Sequence, residues 1–252
     1  MLSSKRQSDI LQAVKANGSC SIAEIAEALG VTTETVRRNL KPLVERGLVT
    51  KFHGGVMLPE EVEEPPFQRR IAVNGDLKRK VAELAARRIA DGDSILLDNG
   101  TTTTFIADAL ADHANLTIVT NSAEIATRLV RRNGNRVFLA GGELHADDAA
   151  VFGPAALDFI RQFRVRYALI SVAGITAAGD LMDFHLFEAE FTRVAMAQAQ
   201  ERWVIADHTK FGRVAPVRVG GLSDIDLLIS DAPPPPDLAE AIAGSGARLV
   251  TP

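Results

Sequence analysis

Apolar positions in the first 56 residues recur at helical spacing in three short blocks. In "SSKRQSDILQAVKANG", Ile10, Leu11 and Val14 share one face and Gly18 ends the run. "SIAEIAEALG" opens with Ser21 and Glu24, spaced as a capping box, and places Ile22, Ile25 and Leu29 inward before Gly30. "VTTETVRRNLKPLVERG" takes Thr32 as N-cap and turns Val36, Leu40, Leu43 and Val44 to its inner face. Only Gly30 to Thr32 separate the second and third blocks, which is helix-turn-helix spacing. "GLVTKFHGGVML" follows, two short apolar strands about His53-Gly54-Gly55, and predicts a hairpin or wing.

Beyond residue 75 the pattern changes to short apolar runs between amphipathic helices. The predicted strands are "SILLD", "LTIVT", "RVFLAG", "YALISVAG", "RWVIAD" and "DLLIS". Strands alternating with helices predict a Rossmann-like parallel sheet covered on both faces. The expected organisation is therefore an α+β winged helix-turn-helix domain over 1–57, a linker over 58–74, and an α/β domain over 75–252. "LPEEVEEPPFQRR" supplies the linker, rich in Pro and Glu and without periodicity.

Charge divides along the same line. Residues 1–56 hold eight Lys/Arg against five Asp/Glu, whereas the remainder holds twenty against twenty-seven. A basic head on an acidic body points to an anionic polymer as partner of the head alone. The third helix presents Thr33, Arg37 and Lys41 on its outer face, with Thr35 and Arg38 beside them. These are side-chain types that reach base edges and phosphates in a major groove. Lys51 and His53 at the wing would face the DNA backbone. The competing reading of this segment is a helical bundle with a charged solvent face. Pro42, which lacks an N–H, predicts a kink late in the third helix.

In parallel sheets, ligands bind beyond the carboxyl ends of the strands. Those ends carry Asp98-Asn99-Gly100-Thr101-Thr102-Thr103, then Thr120-Asn121-Ser122, then Gly141-Gly142-Glu143, and later Asp207-His208-Thr209-Lys210. Glycines for close approach, hydroxyl donors and one lysine suit a small phosphorylated polyol or sugar. The chain has no G-x-G-x-x-G after its first strand and no G-x-x-x-x-G-K-[ST], so a dinucleotide or nucleoside triphosphate is not expected. Asp98, Asp183, His185, Glu188, Asp207, His208 and His145 could supply acid–base pairs, which leaves an enzyme as the alternative. No metal-ligand spacing and no nucleophile elbow stand out, and no cofactor is expected.

A single cysteine, Cys20, excludes an internal disulfide and fits a reducing cytoplasm. No apolar run approaches membrane-spanning length, and "MLSSKRQSDI" is not a signal-peptide start. A small reader with one wing contacts few bases, so a homo-oligomer is expected to present at least two heads.

"SIAEIAEALGVTTETVRRNLKPLVERGLVTKFHGGV" resembles the N-terminal domain of DeoR-type transcriptional regulators. Asn39 stands where that family usually carries an acidic residue. The body resembles the sensor domain of the same family, which is similar in fold to ribose-5-phosphate isomerase and glucosamine-6-phosphate deaminase. "DNGTTTT" extends the family's Asp-x-Gly-Thr-Thr by two threonines. "ALDFIRQFRVRYALISVAGI", "DFHLFEAEFTRVAM", "ADHTKFGR" and "SDAPPPP" look closest to the branch that represses a glycerol 3-phosphate regulon. The resemblance implies a repressor released from double-stranded operator DNA by glycerol 3-phosphate. The effector set it suggests is Asp98, Gly100, Thr101, Thr102, Thr103, Thr120, Asn121, Ser122, Gly141, Gly142, Glu143, Asp183, Glu188 and Lys210. The alternative is an isomerase- or deaminase-like enzyme fused to a DNA-binding domain, or a repressor answering to another sugar phosphate.

Overall fold

The computed structural model describes residues 5–17, 19–46, 48–52, 55–57 and 64–252. The chain forms two compact units whose boundary in sequence lies between Glu64 and Pro65.

The first unit contains α1 (Lys5–Asn17), β1 (Ser19–Ser21), α2 (Ile22–Ala28), α3 (Thr33–Glu45), β2 (Thr50–Phe52) and β3 (Gly55–Met57). Ser21 caps α2 reciprocally: its Oγ accepts from the Glu24 N–H at 3.1 Å, and Glu24 Oε2 accepts from the Ser21 N–H at 2.7 Å. Thr32 caps α3 by accepting from the Thr35 N–H at 3.2 Å. Gly30 takes the tight turn between the two helices at φ +62°, a region that disfavours side chains. Ile10, Val14, Ile25, Val36, Leu40 and Leu43 close one core. Cys20 is buried within it, its thiol 3.5 Å from the Ala13 carbonyl. One expectation needs amendment. The wing has a third strand, because β3 pairs antiparallel with β1 as well as β2. Pro42 lies inside α3, which runs to Glu45.

The second unit begins with α4 (Phe67–Ala72), inside the stretch expected to be linker. Phe67 is buried, and burying an aromatic ring is worth about 1.5–3 kcal/mol, enough to hold a short helix. Then follow α5 (Gly75–Ala86), β4 (Ser94–Leu97), α6 (Thr101–Ala109), β5 (Thr117–Thr120), α7 (Ala123–Leu129), β6 (Arg136–Leu139), α8 (Pro154–Ile160) and β7 (Val165–Ile170). Next are β8 (Gly174–Ile175), β9 (Asp180–Asp183), α9 (Leu186–Ala197), β10 (Ala199–Ile205), β11 (Val217–Gly221), β12 (Leu227–Ile229), α10 (Pro236–Ser245) and β13 (Arg248–Val250).

Seven strands form a parallel sheet in the order β13-β12-β10-β7-β4-β5-β6. Neighbouring residues on each strand serve opposite faces. Leu96, Val119, Ala168, Val204 and Leu228 pack in one cluster with α8, α9 and α10. Ile95, Leu97, Ile118, Leu169, Trp203 and Leu227 pack in another with α5, α6 and α7. A separate antiparallel sheet, β11-β9-β8, was not anticipated; its strands are too short and mixed to show a period. The sheet order reverses between β4 and β7: from β4 the chain adds β5 and β6 on one side, then crosses to β7 and adds β10, β12 and β13 on the other. A crevice at such a switch point, beyond the strand ends, is where open α/β sheets bind ligands.

Candidate functional site

In the first unit, burial of Val36, Leu40 and Leu43 leaves Thr33, Arg37, Arg38 and Lys41 exposed on α3. Thr35 is half-buried, its hydroxyl 2.9 Å from that of Thr32. Arg37 lies 3.7 Å from Glu34 and Lys41 lies 3.9 Å from Glu45, all four well exposed. Such loose surface pairs contribute little and are readily exchanged for phosphates. Asn39 gives its amide to the Thr35 carbonyl at 2.9 Å and so serves its own helix. Lys51 is exposed on β2. His53 lies outside the described residues.

In the second unit, the chain leaving β4 comes very close to the chain leaving β7. A side chain at Gly100 would place its Cβ 2.1 Å from Ser171 Oγ, so only glycine fits there. The Ser171 N–H donates to Asp98 Oδ2 at 2.9 Å. The other carboxylate oxygen of Asp98 is buried with no hydrogen-bond partner. Burial therefore raises the Asp98 carboxyl well above the usual carboxylate range, against the Ser171 N–H and with a contribution from Asp183.

The threonine run divides by function. Thr103 donates its hydroxyl to the Asp98 and Gly100 carbonyls at 2.9 and 3.0 Å, and Thr104 donates to Gly100 at 2.8 Å. These two fasten the corner. Thr101 and Thr102 lead α6, whose first helical bond runs from the Thr104 N–H to the Gly100 carbonyl. The N–H groups of Thr101, Thr102 and Thr103 therefore have no partner within the helix, and this start attracts an anion.

Facing this start is a mixed-charge cluster. Asp183 ends β9 and accepts from the Phe184 N–H at 2.8 Å. Its carboxyl is raised by burial, while hydrogen bonds from Phe184 and Glu188 and the charges of Lys210 and Arg70 draw it down. Glu188, buried in the first turn of α9, lies 3.4 Å from the Asn99 amide. Asn99 also donates to Asp148 at 2.9 Å. Asn121 donates to the Val151 carbonyl at 3.1 Å and reaches the Asn99 oxygen at 3.4 Å. Asp207, at the end of β10, is buried and has one oxygen without a partner, as does Asn121. Three buried oxygens without a hydrogen-bond partner, on Asp98, Asn121 and Asp207, stand at the ends of three strands.

The sequence-derived set is thus partly assembled. Asp98, Gly100, Thr101, Thr102, Thr103, Asn121, Asp183, Glu188 and Lys210 are linked by these contacts and charges. Thr120 and Ser122 have local duties: Thr120 Oγ1 accepts from the Ser122 N–H at 3.1 Å, and Ser122 Oγ caps α7 at Ile125. Gly141, Gly142 and Glu143 are exposed beyond the edge strand β6, and none of the described crevice hydrogen bonds includes them.

Lys78, Arg70, Asp148 and Ser171 are additions. Lys78 is almost fully buried and donates to the carbonyls of Arg70 and Val73, the latter at 2.6 Å. Burial first, then the neighbouring positive charge of Lys210, lowers it to about 8. A signal for Lys78 existed: it falls three, four and seven residues before Val81, Ala82 and Ala85, on the buried stripe of α5.

No helix among the described residues is long and apolar enough to cross a membrane. Residues 6–62 match the family model described as DeoR-like helix-turn-helix domain, and residues 73–232 match that of the DeoR C terminal sensor domain. The glycerol-3-phosphate regulon repressor of Escherichia coli (strain K12) is 36% identical over 249 residues, 99% of this chain and 99% of that protein. The HTH-type transcriptional repressor CsqR of the same organism is 34% identical over 247 residues, 98% of this chain and 95% of that one. Ribose 5-phosphate isomerase A from Methanocaldococcus jannaschii is a structural neighbour at 19% identity and a TM-score of 0.41, covering 55% of each chain. A helix-turn-helix head, a parallel-sheet sensor body and matches that span nearly the whole chain lead to one assignment: this protein belongs to the DeoR family of transcriptional regulators.

Proposed function

We propose that this chain represses a carbon-metabolism regulon, with glycerol 3-phosphate as the small phosphorylated effector that releases it from operator DNA. The observation that carries the effector reading is the crevice between β4 and β7. The buried start of α6, whose first N–H groups have no partner within the helix, lies there with Lys210 and Arg70 as cations and buried carboxyls and amides for hydroxyl groups. The names of the relatives favour glycerol 3-phosphate among compounds of that chemistry.

In this reading Thr33, Arg37, Arg38 and Thr35 meet the major groove, and Lys41 and Lys51 meet phosphates. The N–H groups of Thr101, Thr102 and Thr103 and the ammonium of Lys210 hold the effector phosphate. Asp98, Asp183, Glu188 and Asn121 take its hydroxyls. The body oligomerises, so that two heads engage two half-sites.

Lys210→Ala tests the effector half. A charge-assisted bond is worth about 1.5–3 kcal/mol, so effector affinity should fall roughly 30-fold while operator binding without effector is unchanged. Such a variant holds DNA but no longer lets go. Operator binding with and without glycerol 3-phosphate, measured on both proteins, decides the matter. Release of the variant at the wild-type concentration removes Lys210 from the site. Turnover of sugar phosphates by the purified wild type would favour an enzyme instead.

A further inference from the structure

The six residues of α4 directly follow the boundary between the two units and are fastened at both ends by neighbours of the crevice. At its start, the Phe67 N–H donates to Asp147 Oδ2 at 2.9 Å, and Arg70 lies 3.9 Å from the same carboxylate. Asp147 adjoins Asp148, the partner of Asn99 at the end of β4. At its end, Lys78 reaches back to the carbonyls of Arg70 and Val73. Asn74, in the left-handed region at φ +56°, makes the corner into α5 and donates to Thr209 Oγ1 at 3.2 Å. Thr209 adjoins Lys210, whose charge acts on Lys78. The first fastening adjoins Asp148, which holds Asn99 between Glu188 and Asn121, and the second adjoins Lys210.

We infer that α4 is the coupling element of this protein: its two fastenings, Asp147 at the start and Lys78 with Asn74 at the end, convert occupancy of the crevice into a change in the chain that leads to the head. The inference rests on the effector-released repressor proposed above. An effector can shift DNA binding only through contacts that differ between the bound and free states. An anion at Lys210 changes the field at Lys78, and a hydroxyl at Glu188 competes for the Asn99 amide that also holds Asp148, so both fastenings respond to the same ligand. Asp147 and Lys78 are thus positioning residues and do not themselves grip the effector.

Asp147→Ala separates the two roles. The Asp147 side chain is 42% exposed, so its removal leaves the core intact. Three quantities are measured on wild type and variant: operator affinity, glycerol 3-phosphate affinity by calorimetry, and the glycerol 3-phosphate concentration that half-releases the operator. A fourth is amide hydrogen exchange of residues 67–72 with and without glycerol 3-phosphate. The variant is expected to keep both affinities within about threefold and to need at least tenfold more effector for release. Exchange in 67–72 should respond to the ligand in the wild type and not in the variant. Release at the wild-type concentration, or a ligand affinity that falls as far as release does, overturns the inference and leaves the effector reading standing. A wild type that neither binds glycerol 3-phosphate nor leaves DNA in its presence overturns the reading and, with it, the inference.

Discussion

The outer face of α3 and the rim between β4 and β7 are both proposed as binding surfaces, and they are built in opposite ways. On α3 the working side chains are exposed, loosely paired and long. Along the rim, Lys210 and Arg70 apart, they are buried, and some have a polar atom without a partner. The difference follows from the ligands. A polymer brings many phosphates and can displace solvent from flexible cations, so affinity comes from number and salt-dependent charge. A small molecule offers few groups, so each must meet a desolvated, fixed partner. The body bears the cost of holding such partners dry, and the head does not.

The largest effect expected from breaking this contrast is at Gly100. Gly100→Ala forces a methyl into Ser171, and overpacking of this kind costs about 1–3 kcal/mol. Thermal unfolding should register the loss in stability, and calorimetry should find effector binding abolished. A variant that binds glycerol 3-phosphate normally would show that the phosphate does not sit at this helix start.

The exposed face should give next to nothing in stability but a comparable effect in affinity. Arg37→Ala is expected to weaken a specific operator by about 1–3 kcal/mol, whereas Lys51→Ala should weaken all sequences alike and lower the salt slope by about 1. Salt titration of operator and random duplexes distinguishes the two. An Arg37→Ala protein with unchanged affinity and slope would remove α3 from the groove.

The smallest effect sharpens the comparison through pH. Asp98 has a folded-state pKa raised above its unfolded value, so its contribution is fully favourable below the unfolded pKa, near 3.9, and is lost as pH rises towards the folded one. Asp98→Asn cannot ionise. It should therefore be more stable than wild type at pH 7, with a higher Tm, and the gain should vanish near pH 4. Equal melting temperatures at both pH values would mean that the carboxyl is not desolvated.

The same contrast explains what was legible in the sequence. On α3, position alone determines role: Val36, Leu40 and Leu43 turn inward, so Thr33, Arg37 and Lys41 turn outward. The Ser21–Glu24 box and the Thr32 cap are local bonds and were equally readable. The crevice depends on contacts between residues far apart in sequence. "LLDNGTTTT" announced a helix start, but nothing local told that Thr103 and Thr104 spend their hydroxyls on the turn while Thr101 and Thr102 remain at the opening. That Thr120 and Ser122 accept backbone N–H groups was not legible, because a cap and a ligand donor use the same residue types. Arg70 was obscured by a Pro- and Glu-rich stretch that reads as linker, and Lys78 by the basic run Lys78-Arg79-Lys80, which resembles a solvated face. The sheet β11-β9-β8, which carries Asp183, has strands too short for a period of two to emerge.

The strand order has a consequence in time. The head ends at Glu64, but the crevice needs Gly100 from the end of β4, Ser171 from the end of β7 and Lys210 from beyond β10. Ribosomes add about 5–20 residues per second, so roughly 7–30 s separate the emergence of Glu64 from that of Lys210. On the proposed reading, a growing chain in that interval holds its reader but not the site that answers the effector. Responsiveness is acquired late in synthesis, and a message cut short between those points would encode a binder deaf to its signal.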